Sequence, residues 1–419
     1  MAGHTLRPAP LAGLKVVEIS AFVAAPLGGM TLAQLGAEVI RIDPIGGNID
    51  HSRWPVTKDG TSIYWASLNK GKKSVALDLK SEEGQAVAAE IIASAGILIT
   101  NLPERGWLSY ENLSKHRADL VMLRLNGNQD GSPAVDYTVN ASSGFPTVTG
   151  FDEAQVNNTL PAWDVAAGLY IATGVLAAEL ERGRSGKGQE ITIALSDVML
   201  ATVGNLGYIA EIQTNGNSRG PLGNALYGAY GQSFATADGR EVMVVAISNR
   251  QWRSLGEATG LTEKLAMIGP MLDVDLTTEG GRFEAREAID AVLRPWFARH
   301  AAEDATKRLA DAGVLQGVFR TFEQLVHEDP RCTTDNPLFT EIEQTGVGRV
   351  LAPRSPLTYH GSQASEAVPA PVLGENTEEV LASVLGKSEE DIGRLHLHQV
   401  IVPDRLPTVH TTQLDSSEG

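Results

Sequence analysis

The chain has 419 residues and a formal net charge of −17 at pH 7. That charge excludes general electrostatic binding to nucleic acid or to anionic membranes. Cys332 is the only cysteine, which excludes intrachain disulfides and argues against a cysteine-based zinc site. The sequence shows neither a signal peptide nor a segment long enough to cross a bilayer, so we expect a cytoplasmic protein. No metal site is expected.

Short strands alternate with helices over the first third of the chain. Strands are predicted at residues 15–19, 38–43, 74–79, 97–100 and 120–125. A loop running into a helix is predicted over 23–36, and a helix over 82–95 is capped by Ser81. This alternation predicts a doubly wound parallel α/β sheet. Ligands of such sheets bind beyond the carboxyl ends of the strands.

Two nucleotide-binding motifs are missing from this region. Ala24 and Pro26 occupy the turn where G-x-G-x-x-G requires glycines, and Gly28 lies too far into the helix. No G-x-x-x-x-G-K-[ST] segment is present, which argues against nucleoside triphosphate hydrolysis. Basic residues still cluster in sequence around the strand ends. They fit either a solvated surface or a polyphosphate site: Arg41, Lys70, Lys72, Lys73, Lys80 and Arg105.

Asp164 stands where a loop leads into a long apolar helix, predicted over residues 164–182. The positive end of the helix dipole favours the ionised, nucleophilic form of a carboxylate there. Taken alone, an aspartate at this position is usually a cap or a first-turn partner of the dipole. Two glycine-rich stretches, 127–131 and 227–231, fit either surface turns or loops that donate N–H groups to an oxyanion.

The chain resembles the class III CoA transferases, the group that includes formyl-CoA transferase and carnitine CoA-transferase. The resembling segments are weak singly but strong in this order and spacing: 11–18, 24–26, 35–42, 69–74, 99–101, 160–168, 186–197, 236–239 and 371–374. The resemblance implies an α/β fold in which both chain ends build a large Rossmann-like domain. A smaller α+β middle domain and an interlocked homodimer are implied with it.

The implied boundaries are residues 1–225 and 322–419 for the large domain and 226–321 for the small one. Residues 415–419 are expected to be a flexible tail. Within the small domain the sequence predicts strands at 232–237 and 241–246 and a helix over 285–300.

The same resemblance matches Asp164 to the catalytic aspartate of the family, which attacks the acyl thioester and forms an anhydride and then an enzyme–CoA thioester. It matches a second set of residues to CoA-binding positions: Val23, Ala24, Arg41, Leu77, Lys80, Asn101, Leu102, Arg105 and Tyr137. The small-molecule partner implied is an acyl-CoA, with no cofactor beyond its CoA moiety. Racemases of the family need a histidine where this chain has Val135, so racemisation is not expected.

Some segments resemble a specialised subgroup that moves CoA between the two carboxyls of one unsaturated C5 diacid. These are residues 20–36, 42–47, 105–110, 135–140, 160–164 and 334–337. The 127–132 loop departs from the G-x-G-Q-x-G-P pattern of general transferases. Two alternatives stay open: an intermolecular transferase with a dicarboxylate acceptor, and a non-catalytic CoA-binding relative.

Overall fold

The computed structural model describes residues 7–104, 106–152, 154–363 and 366–402. The predicted tail at 415–419 lies outside them. The strands, in chain order, are β1 (Lys15–Ile19), β2 (Glu38–Pro44), β3 (Lys73–Leu77), β4 (Ile97–Thr100), β5 (Val121–Asn126), β6 (Gln189–Ala194), β7 (Tyr230–Ala235), β8 (Glu241–Ala246), β9 (Leu315–Val318), β10 (Phe339–Gln344) and β11 (Gly348–Pro353).

The α-helices, in the same order, are α1 (Ala24–Gln34), α2 (Ile63–Leu68), α3 (Glu82–Ala95), α4 (Tyr110–His116), α5 (Asp136–Ala141), α6 (Phe145–Val148), α7 (Ala162–Ser185), α8 (Leu195–Asn205), α9 (Tyr208–Asn215), α10 (Asn249–Thr259), α11 (Thr262–Ala266), α12 (Ile268–Leu272), α13 (Glu279–Glu284), α14 (Arg286–Phe297), α15 (Ala302–Asp311), α16 (Phe322–Glu328), α17 (Thr377–Leu385) and α18 (Glu389–Leu397). Short 3₁₀ helices span Ile49–Ser52 and Gly106–Leu108.

The chain divides into two compact units. The larger comprises the described parts of Met1–Val139, Thr159–Leu206 and Pro330–Gly419, and the smaller comprises Asn140–Asn158 and Gly207–Asp329. The predicted domain boundaries stay a prediction.

The large unit contains a six-stranded sheet in the order β3-β2-β1-β4-β5-β6. Every neighbouring pair is parallel, which confirms the predicted α/β sheet. In the register, Val17 of β1 faces Ile40 of β2 on one side and Leu98 of β4 on the other. The strand order reverses between β1 and β4, and a crevice for ligands forms at such a switch point.

Close packing of α1 against α7 sets the position of the α7 N-terminus. A Cβ atom on Gly28 would lie 2.7 Å from the Ile171 side chain, and one on Gly168 would lie 2.9 Å from the Ala24 carbonyl oxygen. Glycine at both positions therefore lets the two helices approach closely. Gly28 thus has a packing role. Its position in the sequence had already argued against a dinucleotide-binding role.

The helix α7 (Ala162–Ser185) is, by length and composition alone, long and apolar enough to cross a membrane. The expectation that no segment is long enough to cross a bilayer is therefore wrong as far as length and composition are concerned. Its buried residues include Trp163, Ala167, Ile171 and Val175, so α7 has a face buried within the unit. A core helix of a globular protein passes the same test.

The small unit is built on an antiparallel sheet in the order β7-β8-β9. Its core includes Phe234 and Phe297, whose rings stack 4.5 Å apart, and the fully buried Tyr230. The predicted strands at 232–237 and 241–246 and the predicted helix at 285–300 correspond to β7, β8 and α14.

Candidate active site

A cavity of about 790 Å³ opens beyond the carboxyl ends of β1, β4 and β5 in the large unit. Residues that follow these three strands line it, including Val23, Asn101 and Gly127, and Asp164 lies in the same lining. This is the edge of the sheet at which the sequence predicts ligand binding. Its volume suits a small-molecule ligand.

Asp164 lies in the first turn of α7 and is half-buried. The first turn of a helix leaves backbone N–H groups without helical partners. Here Asp136 caps two of them: its Oδ2 accepts a hydrogen bond from Trp163 N at 2.7 Å and from Asp164 N at 3.1 Å. The nucleophile candidate is thus fixed by a carboxylate that stands 28 residues earlier in the chain.

The pKa of Asp164 is raised to about 7, chiefly by burial and also by the neighbouring charge of Asp136, while the positive charge of Arg53 acts in the opposite direction. The helix dipole by itself favours the ionised form of Asp164. In the structure, burial and the like charge of Asp136 outweigh that effect. Asp136 itself is almost fully buried, and burial raises its pKa as well. A carboxylate with a pKa near neutrality in a cavity is typical of a reactive group.

Two aromatic rings flank the guanidinium of Arg53, and a third aromatic residue lines the same cavity. The Arg53 guanidinium carbon lies 5.4 Å from the centre of the Phe22 ring and 5.0 Å from that of Tyr64. Trp54 lines the cavity beside them. Burial raises the pKa of Tyr64 to about 12, so its hydroxyl stays protonated near neutral pH.

The turn after β1 is held in an unusual conformation at the cavity wall. Phe22 has a φ of 68°, a left-handed value that is rare for an aromatic residue. The Asn101 side chain stabilises this turn, because its Oδ1 accepts from Ala21 N at 3.0 Å and its Nδ2 donates to Ala21 O at 2.7 Å. Backbone strain of this kind is concentrated at functional sites.

The structure brings five of the predicted CoA-binding residues to the cavity: Val23, Ala24, Asn101, Leu102 and Tyr137. The hydroxyl of Tyr137 donates to the Thr159 carbonyl oxygen at 3.3 Å. Leu77 and Lys80 are not brought there. Leu77 is fully buried in the core of the large unit, and Lys80 is exposed outside the cavity lining. Arg105 lies outside the described residues.

Arg41 is also absent from the cavity lining, because its side chain is fully buried in an ionic network. Its guanidinium pairs with Glu18 at 3.4 Å, Asp43 at 2.8 Å and Asp50 at 2.8 Å. It also donates to Asn69 Oδ1 and to the Ser20 carbonyl oxygen. With its N–H groups engaged in this way, the placement of Arg41 gives no support to its predicted contact with CoA.

The 127–131 loop lines the cavity at Gly127 and Gly131. Two of its N–H groups are used within the loop: Asn128 N donates to Ser132 O at 3.1 Å and Gly131 N donates to Asn128 O at 3.0 Å. Gly131 has a φ of 82°, which the turn requires. These bonds favour the turn interpretation over the oxyanion-donor one. The other stretch, 227–231, belongs to the small unit.

Three residues of the site were missed or left without a role by sequence reasoning: Arg53, Tyr64 and the cap Asp136. Asp136 carries no local signal, because its partners lie on a helix far along the chain. Arg53 stands alone between a 3₁₀ helix and Trp54, away from the basic residues that cluster around the strand ends. Within the described ranges, no group of three or more His, Cys, Asp or Glu side chains could hold a metal ion.

A second cavity, of about 710 Å³, lies in the small unit and is lined largely by apolar groups around Trp252, Leu265 and Pro270. The carboxylate in its lining, Asp275, accepts a hydrogen bond from Thr277, which lowers its pKa. A carboxylate stabilised in this way is inert. The cavity that Asp164 lines is therefore the better candidate for the active site.

Comparison with known proteins identifies the family of the chain. The model of CoA-transferase family III matches residues 11–377. The chain belongs to that family. The segments that carried the resemblance, including residues 160–168, fall within the matched range.

Two curated relatives come from Chloroflexus aurantiacus. The chain is 50% identical over 403 residues to its 2-methylfumaryl-CoA isomerase, covering 94% of this chain and 98% of the relative. It is 27% identical to the succinyl-CoA–D-citramalate CoA-transferase, again with 94% of this chain and 98% of the relative covered. Among solved structures, a CaiB/BaiF family protein from Brucella suis superimposes with a TM-score of 0.75 at 26% identity, covering 90% of this chain and 100% of that one.

Proposed function

We propose that this CoA transferase is a 2-methylfumaryl-CoA isomerase, which moves CoA between the C1 and C4 carboxyls of mesaconate. The observation that carries the proposal is the half-buried Asp164, with a pKa raised to about 7, in the cavity at the switch point of the sheet. The 50% identity to the isomerase of Chloroflexus aurantiacus over most of both chains supports the choice of substrate.

The proposed reaction begins with the ionised Asp164. One of its oxygens bonds to the thioester carbonyl carbon, the C–S bond breaks, and CoA leaves as the thiolate. The product is a mixed anhydride between Asp164 and the acid. The thiolate then attacks the aspartyl carbonyl carbon, the anhydride C–O bond breaks, and a free carboxylate and an aspartyl–CoA thioester result.

The second half of the reaction reverses these steps with the other carboxylate. That carboxylate attacks the aspartyl thioester and expels the thiolate, which then attacks the acyl carbon of the new anhydride. Asp164 leaves as a carboxylate, and CoA is now attached at the other end of the acid. Bonds, charge and protons balance without a metal, a redox cofactor or a water molecule.

Retention of the acid between the two halves makes the transfer intramolecular. A bound carboxylate has a far higher effective concentration at Asp164 than one that must arrive from solution. The alternative is an intermolecular transferase with a free dicarboxylate acceptor, which the 27% identity to succinyl-CoA–D-citramalate CoA-transferase supports.

A label experiment separates these two functions. The enzyme is incubated with mesaconyl-C1-CoA, with and without an excess of isotopically labelled free mesaconate, and the esters are analysed by mass spectrometry. We expect mesaconyl-C4-CoA to form without added acid and to carry little or no label. A requirement for free acid, with stoichiometric label in the product, would support the intermolecular alternative.

The predicted CoA contacts form part of the proposal. Val23, Ala24, Asn101, Leu102 and Tyr137 line the cavity, which supports contacts near the thioester. Lys80, which is exposed, is proposed to meet the nucleotide end, where phosphates attract cations. Arg105 is proposed to meet the same end.

A homodimer in the cytoplasm is proposed with the activity. The support is a set of large apolar side chains of the large unit that one chain leaves at least half exposed: Leu169, Tyr170, Leu180, Leu200 and Leu206. Exposed apolar groups of this kind are covered by association. Light scattering at micromolar protein concentration tests this, and a monomer mass would contradict it.

A further inference from the structure

Arg53 is held in a fixed position on the cavity wall. Its backbone closes the 3₁₀ helix Ile49–Ser52, and its carbonyl oxygen accepts from Ser62 Oγ at 2.7 Å. The guanidinium lies within cation–π distance of both Phe22 and Tyr64. Aromatic faces hold a guanidinium while leaving its N–H edge available for hydrogen bonds.

The charge of Arg53 has no ionic partner among the described residues. Arg41, by contrast, pairs with three carboxylates. The guanidinium geometry of arginine matches a carboxylate through two parallel N–H donors. An arginine that lines a cavity without a protein carboxylate is therefore available to a carboxylate of the ligand.

Arg53 and the nucleophile candidate are within electrostatic reach of each other. Both line the same cavity, and the positive charge of Arg53 counteracts the rise in the pKa of Asp164. A ligand placed between them meets a nucleophile and a fixed cation. An acyl group with a thioester at one end and a carboxylate at the other has a matching group for each.

We propose that Arg53 binds the free carboxylate of the dicarboxylic acyl group and thereby selects acyl-CoA esters that carry a second carboxylate. This inference rests on the proposed function and names the residue that holds the end of the acid remote from Asp164. When the diacid turns end for end, the carboxylate just released takes the place that the other one held. One guanidinium therefore serves both halves of the isomerisation.

Binding of two matched esters tests the inference without turnover. Mesaconyl-C1-CoA carries the second carboxylate, and tigloyl-CoA has a methyl group in its place. Both are titrated calorimetrically into Asp164→Ala protein with and without Arg53→Gln. We expect Arg53→Gln to weaken the binding of mesaconyl-C1-CoA roughly 10- to 100-fold, the range for a hydrogen bond to a charged group. We expect it to weaken the binding of tigloyl-CoA less than about twofold. Arg53→Lys keeps the charge but loses the paired donors, so we expect an intermediate loss.

Arg394→Gln serves as the matched control, because it removes an exposed arginine that pairs with Asp391 on α18. We expect it to change neither affinity. The inference would be overturned if Arg53→Gln weakened the binding of both esters equally or weakened the binding of neither. It would also be overturned if Arg53→Lys and Arg53→Gln both kept the full preference for mesaconyl-C1-CoA over tigloyl-CoA. Isomerisation by the wild-type enzyme is measured separately. If it is absent, the proposed function fails whatever Arg53 does.

Discussion

Two groups of charged side chains in the large unit, one around Arg41 and one around Asp164, differ in how completely their charges are paired. Around Arg41, three carboxylates and two further oxygen acceptors engage a side chain that has no exposure to solvent. Around Asp164, one carboxylate repels another, and the nearest guanidinium rests on aromatic rings.

The difference separates stability from reactivity. In the Arg41 network the pKa of Asp43 is held well below its usual range, chiefly by the Arg41 charge acting against burial. In the cavity, burial and Asp136 raise the pKa of Asp164 to about 7. Paired charges stay inert, whereas an unpaired carboxylate beside an unpaired cation leaves both free for a ligand.

The largest expected effect is on turnover by Asp164→Ala. Loss of the nucleophile removes covalent catalysis, so we expect kcat to fall by about a thousandfold or more while CoA esters still bind. Turnover is measured by separating the two mesaconyl-CoA esters chromatographically. Asp164→Asn is the isosteric control, and slow recovery of its activity would indicate deamidation back to aspartate. Near-normal initial turnover by Asp164→Ala would exclude the mechanism.

Arg41→Met should act on stability instead. It leaves Asp43 and Asp50 buried without their cation, and breaking a buried pair costs about 3–5 kcal/mol. The matched change, Arg53→Met, removes a partly exposed side chain without an ion pair and should cost about 1 kcal/mol. Urea unfolding followed by circular dichroism measures both variants. Equal losses of unfolding free energy would show that the two arginines do not differ as described.

The pH dependence sharpens the contrast within the cavity. Asp164 must be ionised to attack, and its pKa is raised to about 7, so kcat/KM should fall as pH drops below about 7. Asp136→Asn keeps an oxygen acceptor for the helix N-terminus but removes a negative charge that raises this pKa. The acid limb of the profile should therefore shift to lower pH, and it should shift to higher pH in Arg53→Gln. An unchanged acid limb in both variants would show that the ionisation of Asp164 does not set the acid limb.

The smallest effect concerns a second kind of helix cap. Ser81 caps α3 locally, accepting from Gly84 N at 3.0 Å, whereas α7 depends on the distant Asp136. We expect Ser81→Ala to lower the free energy of unfolding by about 1 kcal/mol and to leave kcat/KM unchanged. Thermal unfolding measures the change in stability, and steady-state kinetics measure kcat/KM. A large loss of activity would mean that α3 has a role in the site.

Much of the large unit could be predicted from sequence, because its signals are local. Strand β1 has the predicted bounds, 15–19, and the Ser81 cap was read from the residues that follow it. Asp164 also had a local signal, a carboxylate at the start of an apolar helix. The family resemblance then gave it a role.

The electrostatic environment of the site could not be predicted in the same way. Arg41 lies in β2 and Arg53 follows the 3₁₀ helix Ile49–Ser52, and the sequence does not show that Glu18 and Asp50 converge on Arg41. The cap on α7 comes from a residue in another element, and the balance of burial against the helix dipole depends on packing. These features depend on which side chains the fold brings together.

Trapping the covalent intermediate tests the central claim most directly. Hydroxylamine added during turnover of mesaconyl-C1-CoA should convert an aspartyl–CoA thioester or anhydride into a hydroxamate, and peptide mapping by mass spectrometry locates it. We predict that the modification lies on Asp164 and is lost in Asp164→Ala. Consistent modification of a different residue, or rapid turnover that leaves Asp164 unmodified, would contradict the account.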